Sequence, residues 1–162
     1  KKYLDLAYEI GTLLGKNGKK LIYGGGAKGL MLQVAQGTLD SGGEAYGYMP
    51  KFMIEVEWQH NNLTDLIITK SMGERKAMMM AESDAIVFLP GGCGTMEEFF
   101  EYLSSKRLNR YPGLLIIFNF EGYYDALLEL LAKMEAESFH EPHHNQMWVS
   151  CSDTNQFYSY IH

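Results

Sequence analysis

Short apolar runs alternate with amphipathic stretches along the whole chain. The apolar runs predict β-strands at about residues 21–23, 44–49, 66–69, 85–89, 114–119 and 147–150. The stretches between them have helical periodicity and predict helices at about residues 3–17, 29–41, 72–82, 96–108, 122–137 and 154–162. Strands that are apolar on both faces are typical of a parallel sheet covered by helices on each side. The pattern therefore predicts a doubly wound parallel α/β fold with three layers, α/β/α.

The amino-terminal segment departs from this pattern. Such a fold normally opens with a strand, but the segment KKYLDLAYEIGTLLG already has helical periodicity. We therefore expect the first strand of the fold to be missing from this chain. The length of 162 residues is close to that of a common single domain, so residues 1–162 are expected to form one domain.

Charge and composition narrow the range of partners. Hydrophobic residues make up 46% of the chain, and the formal net charge is −6. Nucleic-acid-binding faces are rich in Lys and Arg, so no nucleic-acid partner is expected for this acidic chain. The longest apolar runs are far below the roughly 20 residues that span a membrane, so no membrane contact is expected.

The cysteines and the amino terminus indicate a location. The chain has two cysteines, Cys93 and Cys151, which are far apart in the sequence, and it does not open with a signal peptide. Both features are typical of a cytoplasmic protein.

Two glycine-rich segments directly follow predicted strands. YGGGAKG follows residues 21–23, and PGGCGT follows residues 85–89. In an open parallel sheet, ligands bind beyond the carboxyl ends of the strands, where bare backbone and helix N–H groups can hold an anion. One such turn could be only a tight connection, but two in one small domain favour a ligand role. Neither matches a nucleoside-triphosphate loop or a clean dinucleotide fingerprint, so a monophosphate is the remaining candidate.

Glu98 has two interpretations. Thr95 and Glu98 have the spacing of a capping box, in which Thr95 accepts from first-turn amides and Glu98 reaches back to the N–H of Thr95. This box is a sufficient structural reason for the carboxylate. A second anion beside a phosphate turn is nevertheless unfavourable unless it takes part in the chemistry, so a catalytic role for Glu98 stays open.

Arg75 and Lys76 stand in the first half of the predicted helix 72–82, where positive charge opposes the helix dipole. The pair indicates an anionic partner outside the helix, unless both side chains are simply exposed to solvent. The methionines that follow, Met78 to Met80, are expected to fill the core and the wall of a cleft.

Histidines gather near the carboxyl terminus, in the segment FHEPHHN with His140, Glu141, His143 and His144. A proline-containing loop lacks the fixed spacing of a helical zinc pair, so no metal site is predicted. Cys93 lies at a helix start, which can lower a thiol pKa, but no histidine follows nearby as a base. We therefore interpret Cys93 as a small filler of the turn.

Several motifs together carry a family resemblance. PGGCGTMEE matches the signature PGGxGTxxE, and GERKAMMMAESDAIVFLPGG matches the helix and strand before it, of the LOG (Lonely Guy) family of cytokinin riboside 5′-monophosphate phosphoribohydrolases. The similarity continues through LIYGGGAKGLM, YMPKFM and NFEGYYDALL, so it covers nearly the whole chain. The chain is identified by these motifs as a member of that family.

The resemblance implies a Rossmann-like fold, usually dimeric, with an active site near the dimer interface. It implies hydrolysis of the N-glycosidic bond of adenosine-type nucleoside 5′-monophosphates, without a cofactor or a metal. Arg75 and Glu98 match the family's catalytic pair. The residues that match or neighbour its substrate- and phosphate-binding segments are Gly24, Gly25, Gly26, Lys76, Gly91, Gly92, Cys93, Gly94 and Thr95.

Two other functions are alternatives to hydrolysis. Relatives with this fold bind nucleotides or a molybdenum-cofactor-type ligand without cleaving them, and the presence of both Arg75 and Glu98 favours the enzyme. Members of the family have also been labelled lysine decarboxylases. Pyridoxal-phosphate chemistry needs a Schiff-base lysine with partners for the ring nitrogen and the phosphate. No such lysine motif is recognisable, so decarboxylation is not expected.

One segment departs from the family pattern. After the Glu98 helix the family commonly has a Trp and a Gln followed by a His-x-Lys-Pro turn, and this chain has Ser105, Arg107, Tyr111 and Gly113 there. Selectivity between adenine and an N6-prenylated adenine, and the dimer contact, therefore stay open.

Overall fold

The structure is a computed structural model that describes residues 1–54, 60, 62–139 and 141–161. The chain divides into two compact units, Lys1–Glu82 and Ser83–His162, called the first and second unit below. Each contains a three-stranded parallel sheet with helices between its strands. That the whole chain behaves as one domain stays a prediction.

The first unit is built on the strand order β1-β2-β3. Its strands are β1 (Leu21–Tyr23), β2 (Ala45–Pro50) and β3 (Asp65–Thr69), and its helices are α1 (Lys2–Lys16), α2 (Gly29–Asp40), α3 (Lys51–Ile54) and α4 (Met72–Ala81). All pairings are parallel, and Tyr23 at the end of β1 lies opposite Gly47 of β2. The carboxyl ends of the strands therefore share one edge of this sheet, which is where the segment YGGGAKG begins.

The second unit has the strand order β4-β5-β6, again with parallel pairings. Its strands are β4 (Ala85–Phe88), β5 (Leu114–Phe118) and β6 (Trp148–Cys151), and its helices are α5 (Cys93–Arg107), α6 (Asp125–Ala136) and α7 (Thr154–Ile161). The central strand β5 is buried over residues 115–118. Phe88 at the end of β4 packs edge-to-face on Phe99 of α5, with ring centroids 5.1 Å apart, and this contact seats α5 against the sheet.

The predicted alternation of parallel strands and helices is confirmed. Every predicted strand and helix is present, and most boundaries agree to within a residue or two. The helix predicted from residue 122 begins instead at Asp125, because residues 120–122 form a 3₁₀ turn in which Glu121 has a left-handed φ of 49°. The four-residue α3 was not predicted, since it is too short to show a helical period. In the described part of the chain, no helix combines the length and apolarity needed to cross a membrane.

Candidate functional site

The first glycine turn lies directly after β1. Gly24, Gly25 and Gly26 are all buried. Gly25 has a φ of +79°, a left-handed conformation that side chains other than glycine rarely adopt. A Cβ on Gly24 would lie 2.0 Å from Nη2 of Arg75, so a side chain there would displace the guanidinium. The turn therefore requires glycine for its backbone conformation and for the close approach of Arg75.

Arg75 is buried against this turn and is only 7% exposed. Its Nε donates to the carbonyl of Tyr48 on β2 at 2.8 Å, and its Nη2 donates to the carbonyl of Gly24 at 3.0 Å. A longer contact of 3.7 Å runs from Nη1 to Sδ of Met72. Lys76, the next residue on α4, is also buried. Solvent exposure, the alternative explanation for this cationic pair, is therefore wrong for both side chains.

His60 reaches the same turn and was not identified from the sequence. Its backbone N–H donates to the carbonyl of Gly25 at 3.3 Å, and its Nδ1 accepts from the N–H of Asn62 at 3.3 Å. Burial lowers the pKa of His60 and so favours the neutral ring, in which the bond accepted by Nδ1 requires the proton to be on Nε2. No motif or periodicity surrounds His60 in the sequence, so only the folded structure shows its hydrogen bond to the glycine turn.

The second glycine turn connects β4 to α5. Gly92 has an extended conformation and is the N-cap of α5, and the first intrahelical bond runs from the N–H of Met96 to the carbonyl of Gly92. The N–H groups of Cys93, Gly94 and Thr95 therefore have no intrahelical acceptor. The N-cap residue, Gly92, has no side chain that could cap this helix end. The arrangement leaves bare backbone and the positive end of the helix dipole available to an anion.

The predicted capping box is wrong. It required Thr95 to be the N-cap, but α5 begins at Cys93, so Thr95 is already the third helical residue. Glu98 consequently lies one turn further into the helix, at a position that cannot reach back to an N-cap amide. Glu98 is half-buried and lies on the same face of α5 as Gly94 and Thr95, because residues three and four apart are neighbours on a helix. Capping of the helix start is thereby removed as the explanation for this carboxylate.

Two tyrosines in the segment just before α6 form hydrogen bonds to the second turn. The hydroxyl of Tyr123 donates to the carbonyl of Gly91 at 2.8 Å, and the hydroxyl of Tyr124 donates to the carbonyl of Leu89 at 2.6 Å. Burial raises the pKa of Tyr124 to about 12, so it remains a neutral donor at ordinary pH. The segment NFEGYYDALL, singled out by the family resemblance, thus holds the carbonyl groups that lead into the glycine turn.

The histidine segment forms a cluster whose hydrogen bonds favour a structural role. Ligand atoms of Glu141, His143 and His144 all lie within 4.8 Å of one another. Nδ1 of His144, however, accepts from the N–H of Glu141 at 3.1 Å, which fixes the ring proton on Nε2 and occupies both nitrogens. The side chain of Glu141 completes a capping box around the 3₁₀ turn that begins at Pro142. His140 lies outside the described residues, and the lack of a metal site stays a prediction.

The residues that depart from the family pattern lie far from the second glycine turn within their unit. Tyr111 is buried beneath Lys106, whose Nζ lies 5.7 Å from the ring centroid and donates to the carbonyl of Gly113. Gly113 precedes β5 at its amino end, whereas the glycine turn follows β4 at its carboxyl end. Because β4 and β5 are parallel, these positions are at opposite edges of the sheet. Ser105 and Arg107, at the end of α5, belong to the same distant edge.

Sequence comparison connects the chain to named relatives. A family model described as "Possible lysine decarboxylase" matches residues 31–161. The chain is 38% identical to the "Probable cytokinin riboside 5'-monophosphate phosphoribohydrolase" of Oryza sativa subsp. japonica, over 94% of this chain and 68% of the relative. It is 36% identical to the cytokinin riboside 5'-monophosphate phosphoribohydrolase of Rhodococcoides fascians, over 94% of this chain and 77% of that protein. One of the relatives in Arabidopsis thaliana, also named cytokinin riboside 5'-monophosphate phosphoribohydrolase, is 34% identical over 95% of this chain and 72% of its own length.

Comparison with solved structures establishes the fold. The molybdenum cofactor carrier protein of Chlamydomonas reinhardtii has a TM-score of 0.75 and covers 99% of this chain and 86% of its own, at 18% identity. The molybdenum cofactor binding protein of Rippkaea orientalis has a TM-score of 0.67 and covers 96% of this chain and 83% of its own, at 22% identity. At these identities the likeness concerns the fold alone, and it confirms the predicted α/β class.

Proposed function

The chain belongs to the LOG family of cytokinin riboside 5′-monophosphate phosphoribohydrolases, and we propose that it hydrolyses the N-glycosidic bond of adenosine-type nucleoside 5′-monophosphates. The products would be a free adenine-type base and ribose 5-phosphate. The observation that carries the proposal is the second glycine turn, where an uncapped helix start and the carboxylate of Glu98 share one face of α5. The decarboxylase wording belongs to the family model, whereas the relatives are named as phosphoribohydrolases.

The second turn supplies the phosphate subsite in this proposal. Three backbone N–H groups, from Cys93, Gly94 and Thr95, lack intrahelical acceptors, and the helix dipole adds partial positive charge. A Cβ on Gly92 or Gly94 would meet no atom of the described residues within 4 Å, so these residues leave the space beside this backbone open. A 5′-phosphate held there brings the ribose close to the helix face that carries Glu98.

Glu98 is the group proposed to act on the reacting atoms. When the C1′–N9 bond breaks, its electron pair leaves with the base, which takes up a proton, and positive charge develops on the ribose ring. A carboxylate stabilises this charge and can orient and deprotonate the attacking water, whose oxygen forms the new bond to C1′. Binding energy from the distant phosphate fixes the ribose in position for that attack.

Of the cationic pair on α4, Arg75 contacts the first glycine turn. Arg75 is bonded to the carbonyl of Gly24, and Lys76 is buried next to it in the sequence. We assign Gly24, Gly25 and Gly26 to substrate binding, and Arg75 to the catalytic role that the family resemblance implies. The chemistry assigned to these residues requires no cofactor or metal.

We also propose a cytoplasmic location. The two cysteines, Cys93 and Cys151, are free thiols, which is compatible with a reducing cytoplasm.

A second candidate is a binding protein that does not cleave its ligand. It is favoured by the fold neighbours, which are named as molybdenum cofactor carrier and binding proteins. Against it, a binding turn for an anionic group gains nothing from a half-buried carboxylate one helical turn away.

Incubation with AMP and with isopentenyladenosine monophosphate, followed by chromatography for free base, distinguishes the hydrolase from the binding protein. Release of base from either supports hydrolysis, and the faster of the two identifies the preferred base; binding of both without release supports the carrier.

We predict a homodimer in solution. Family likeness motivates this expectation, and α5 presents two large apolar side chains to solvent, Phe100 at 36% and Leu108, its C-cap, at 62% exposure. Sedimentation velocity should give the mass of two chains, and Leu108→Glu should shift the equilibrium towards one chain because a buried unpaired carboxylate is costly. A fully active wild-type monomer would contradict the prediction.

A further inference from the structure

The peptide that joins Gly91 to Gly92 leads into α5 and is intrinsically free to rotate. Neither residue carries a side chain, and a Cβ on Gly91 would collide with Oγ1 of Thr95, so close packing requires glycine there. A peptide between two glycines can turn its N–H to either side at little steric cost. Its orientation in the folded protein therefore depends on a contact from elsewhere in the unit.

Tyr123 supplies that contact. Its hydroxyl donates to the carbonyl of Gly91 at 2.8 Å, although the residue as a whole is 44% exposed. In a trans peptide the C=O and the N–H point to opposite sides, so this bond directs the N–H of Gly92 away from Tyr123. This N–H is the first of the four that the start of α5 leaves without an intrahelical acceptor.

We propose that Tyr123 is a positioning residue for the phosphate subsite. It holds the Gly91–Gly92 peptide in the orientation in which the N–H of Gly92 can donate to the phosphate of the substrate. Tyr123 itself touches neither the phosphate nor the reacting atoms. The inference rests on the proposed function and adds to it a residue outside the glycine turn. Tyr123, the turn and α5 all lie in the second unit.

Tyr124 holds the backbone just before this peptide and provides a contrast. Its hydroxyl donates to the carbonyl of Leu89 at 2.6 Å, and burial, which raises its pKa, is partly opposed by the nearby backbone N–H of Gly91. The carbonyl of Leu89 belongs to the peptide of Pro90, which has no N–H to orient. Because Tyr124 is only 3% exposed, its bond is shielded from water and contributes mainly to stability.

The loop that carries the two tyrosines is held in one conformation. Glu121 and Gly122 both have a left-handed φ, of 49° and 73°, which is a strained conformation for the glutamate. The side chain of Asn119 stabilises the loop, because its Oδ1 accepts from the N–H of Tyr124 at 2.6 Å. Its Nδ2 donates at 2.8 Å to the carboxylate of Asp125, which begins α6. Backbone strain that is held by specific bonds is typical of segments that position a functional group.

The test compares Tyr123→Phe with Tyr124→Phe in the intact chain. The two rings pack edge-to-face with centroids 4.9 Å apart, and phenylalanine keeps this packing while it removes one hydroxyl. We measure the dissociation constant of inorganic phosphate by calorimetry, KM and kcat for AMP, and the melting temperature. Tyr160→Phe is the matched control, since Tyr160 is an exposed tyrosine on α7 of the same unit and its substitution should leave all four values unchanged.

Tyr123→Phe should raise the phosphate dissociation constant and KM by about three- to tenfold, the range of one hydrogen bond, while kcat and the melting temperature change little. Tyr124→Phe should lower the melting temperature more and phosphate affinity less, because it removes a shielded bond before a peptide without an N–H.

Unchanged phosphate affinity in Tyr123→Phe would overturn the proposal, and a fall in kcat alone would mean that Tyr123 touches the reacting atoms. Equal losses of phosphate affinity and of melting temperature in the two variants would overturn it as well, because both tyrosines would then serve only the fold of the turn. A wild-type protein that binds phosphate but cleaves no AMP would refute the proposed hydrolysis and still allow the phosphate comparison. Cleavage of AMP by a wild-type protein that binds no phosphate would overturn the role of Tyr123 alone.

Discussion

Glu98→Gln is expected to reduce the release of adenine from AMP by about 10²-fold or more, the range of a positioned acid–base group. Glutamine preserves the size and the hydrogen-bonding reach of the side chain but removes its charge. The charge is what stabilises positive character on the ribose and what activates water, so the loss should be in kcat with little change in KM. Initial rates over a range of AMP concentrations, with adenine separated by chromatography, measure both constants.

The fold should be indifferent to this substitution. Glu98 is the sixth residue of α5, beyond the capping positions, and glutamine keeps its size and hydrogen-bonding reach, so the melting temperature of Glu98→Gln should stay close to that of the wild type. Glu97→Gln is the matched control: it changes the neighbouring, exposed carboxylate and should retain turnover. Normal kcat in a normally folded Glu98→Gln would remove this carboxylate from the mechanism.

AMP is expected to be cleaved far better than adenosine, by at least about 10²-fold in kcat/KM. The two substrates differ only in the 5′-phosphate, and hydrogen bonds from N–H groups to a charged acceptor are worth about 1.5–3 kcal/mol each. Two such bonds at the start of α5 account for a factor of this size. The measurement is kcat/KM for both substrates under the same conditions, because it compares transition-state stabilisation from the same starting state.

Inorganic phosphate and sulfate provide the control for this comparison. Either anion should inhibit AMP cleavage competitively, since it would occupy the same backbone N–H groups without the rest of the substrate. Adenosine cleavage should be affected much less, because adenosine leaves that subsite empty. Equal rates on AMP and adenosine would show that the glycine turns serve only as connections between strands and helices.

Most of the fold could be predicted from the sequence, because buried strands and amphipathic helices leave direct patterns. The run 85–89 predicted β4, and the continuous apolar segment 114–119 predicted β5, which is fully buried in its last four residues. Buried segments must consist of apolar residues, so the spacing of apolar residues along the sequence predicts them directly. The glycine turns were located for a similar reason, since their positions after strands are fixed by the elements around them.

The start of α5 could not be predicted in the same way. Thr95 and Glu98 carry the side-chain signal of a capping box, but Gly92 and Cys93 carry no signal of a helix start. In the structure α5 begins after Gly92, which has no side chain and therefore leaves no capping signal in the sequence. The local sequence rule therefore failed at the position where the proposed function competes with helix capping.

The roles of Arg75 and His60 were beyond sequence reasoning for a different reason. Both act on the carbonyls of Gly24 and Gly25, and the contact from Arg75 to Gly24 joins residues 51 positions apart. A side chain that donates to a distant backbone carbonyl leaves no pattern in the sequence around it. The contact constrains where that side chain lies in space, but it does not constrain which residues are its neighbours in the sequence. The helical setting of Arg75 predicted an anionic partner, but the structure gives the guanidinium two backbone carbonyls.

The central claim is glycosidic cleavage of a nucleoside monophosphate, and one product analysis tests it directly. Wild-type protein is incubated with AMP, and adenine, ribose 5-phosphate, adenosine and inorganic phosphate are separated from the same reaction. The account predicts adenine and ribose 5-phosphate in equal amounts, with neither adenosine nor inorganic phosphate formed. Adenosine with inorganic phosphate, or unchanged AMP that is bound but not cleaved, would contradict it.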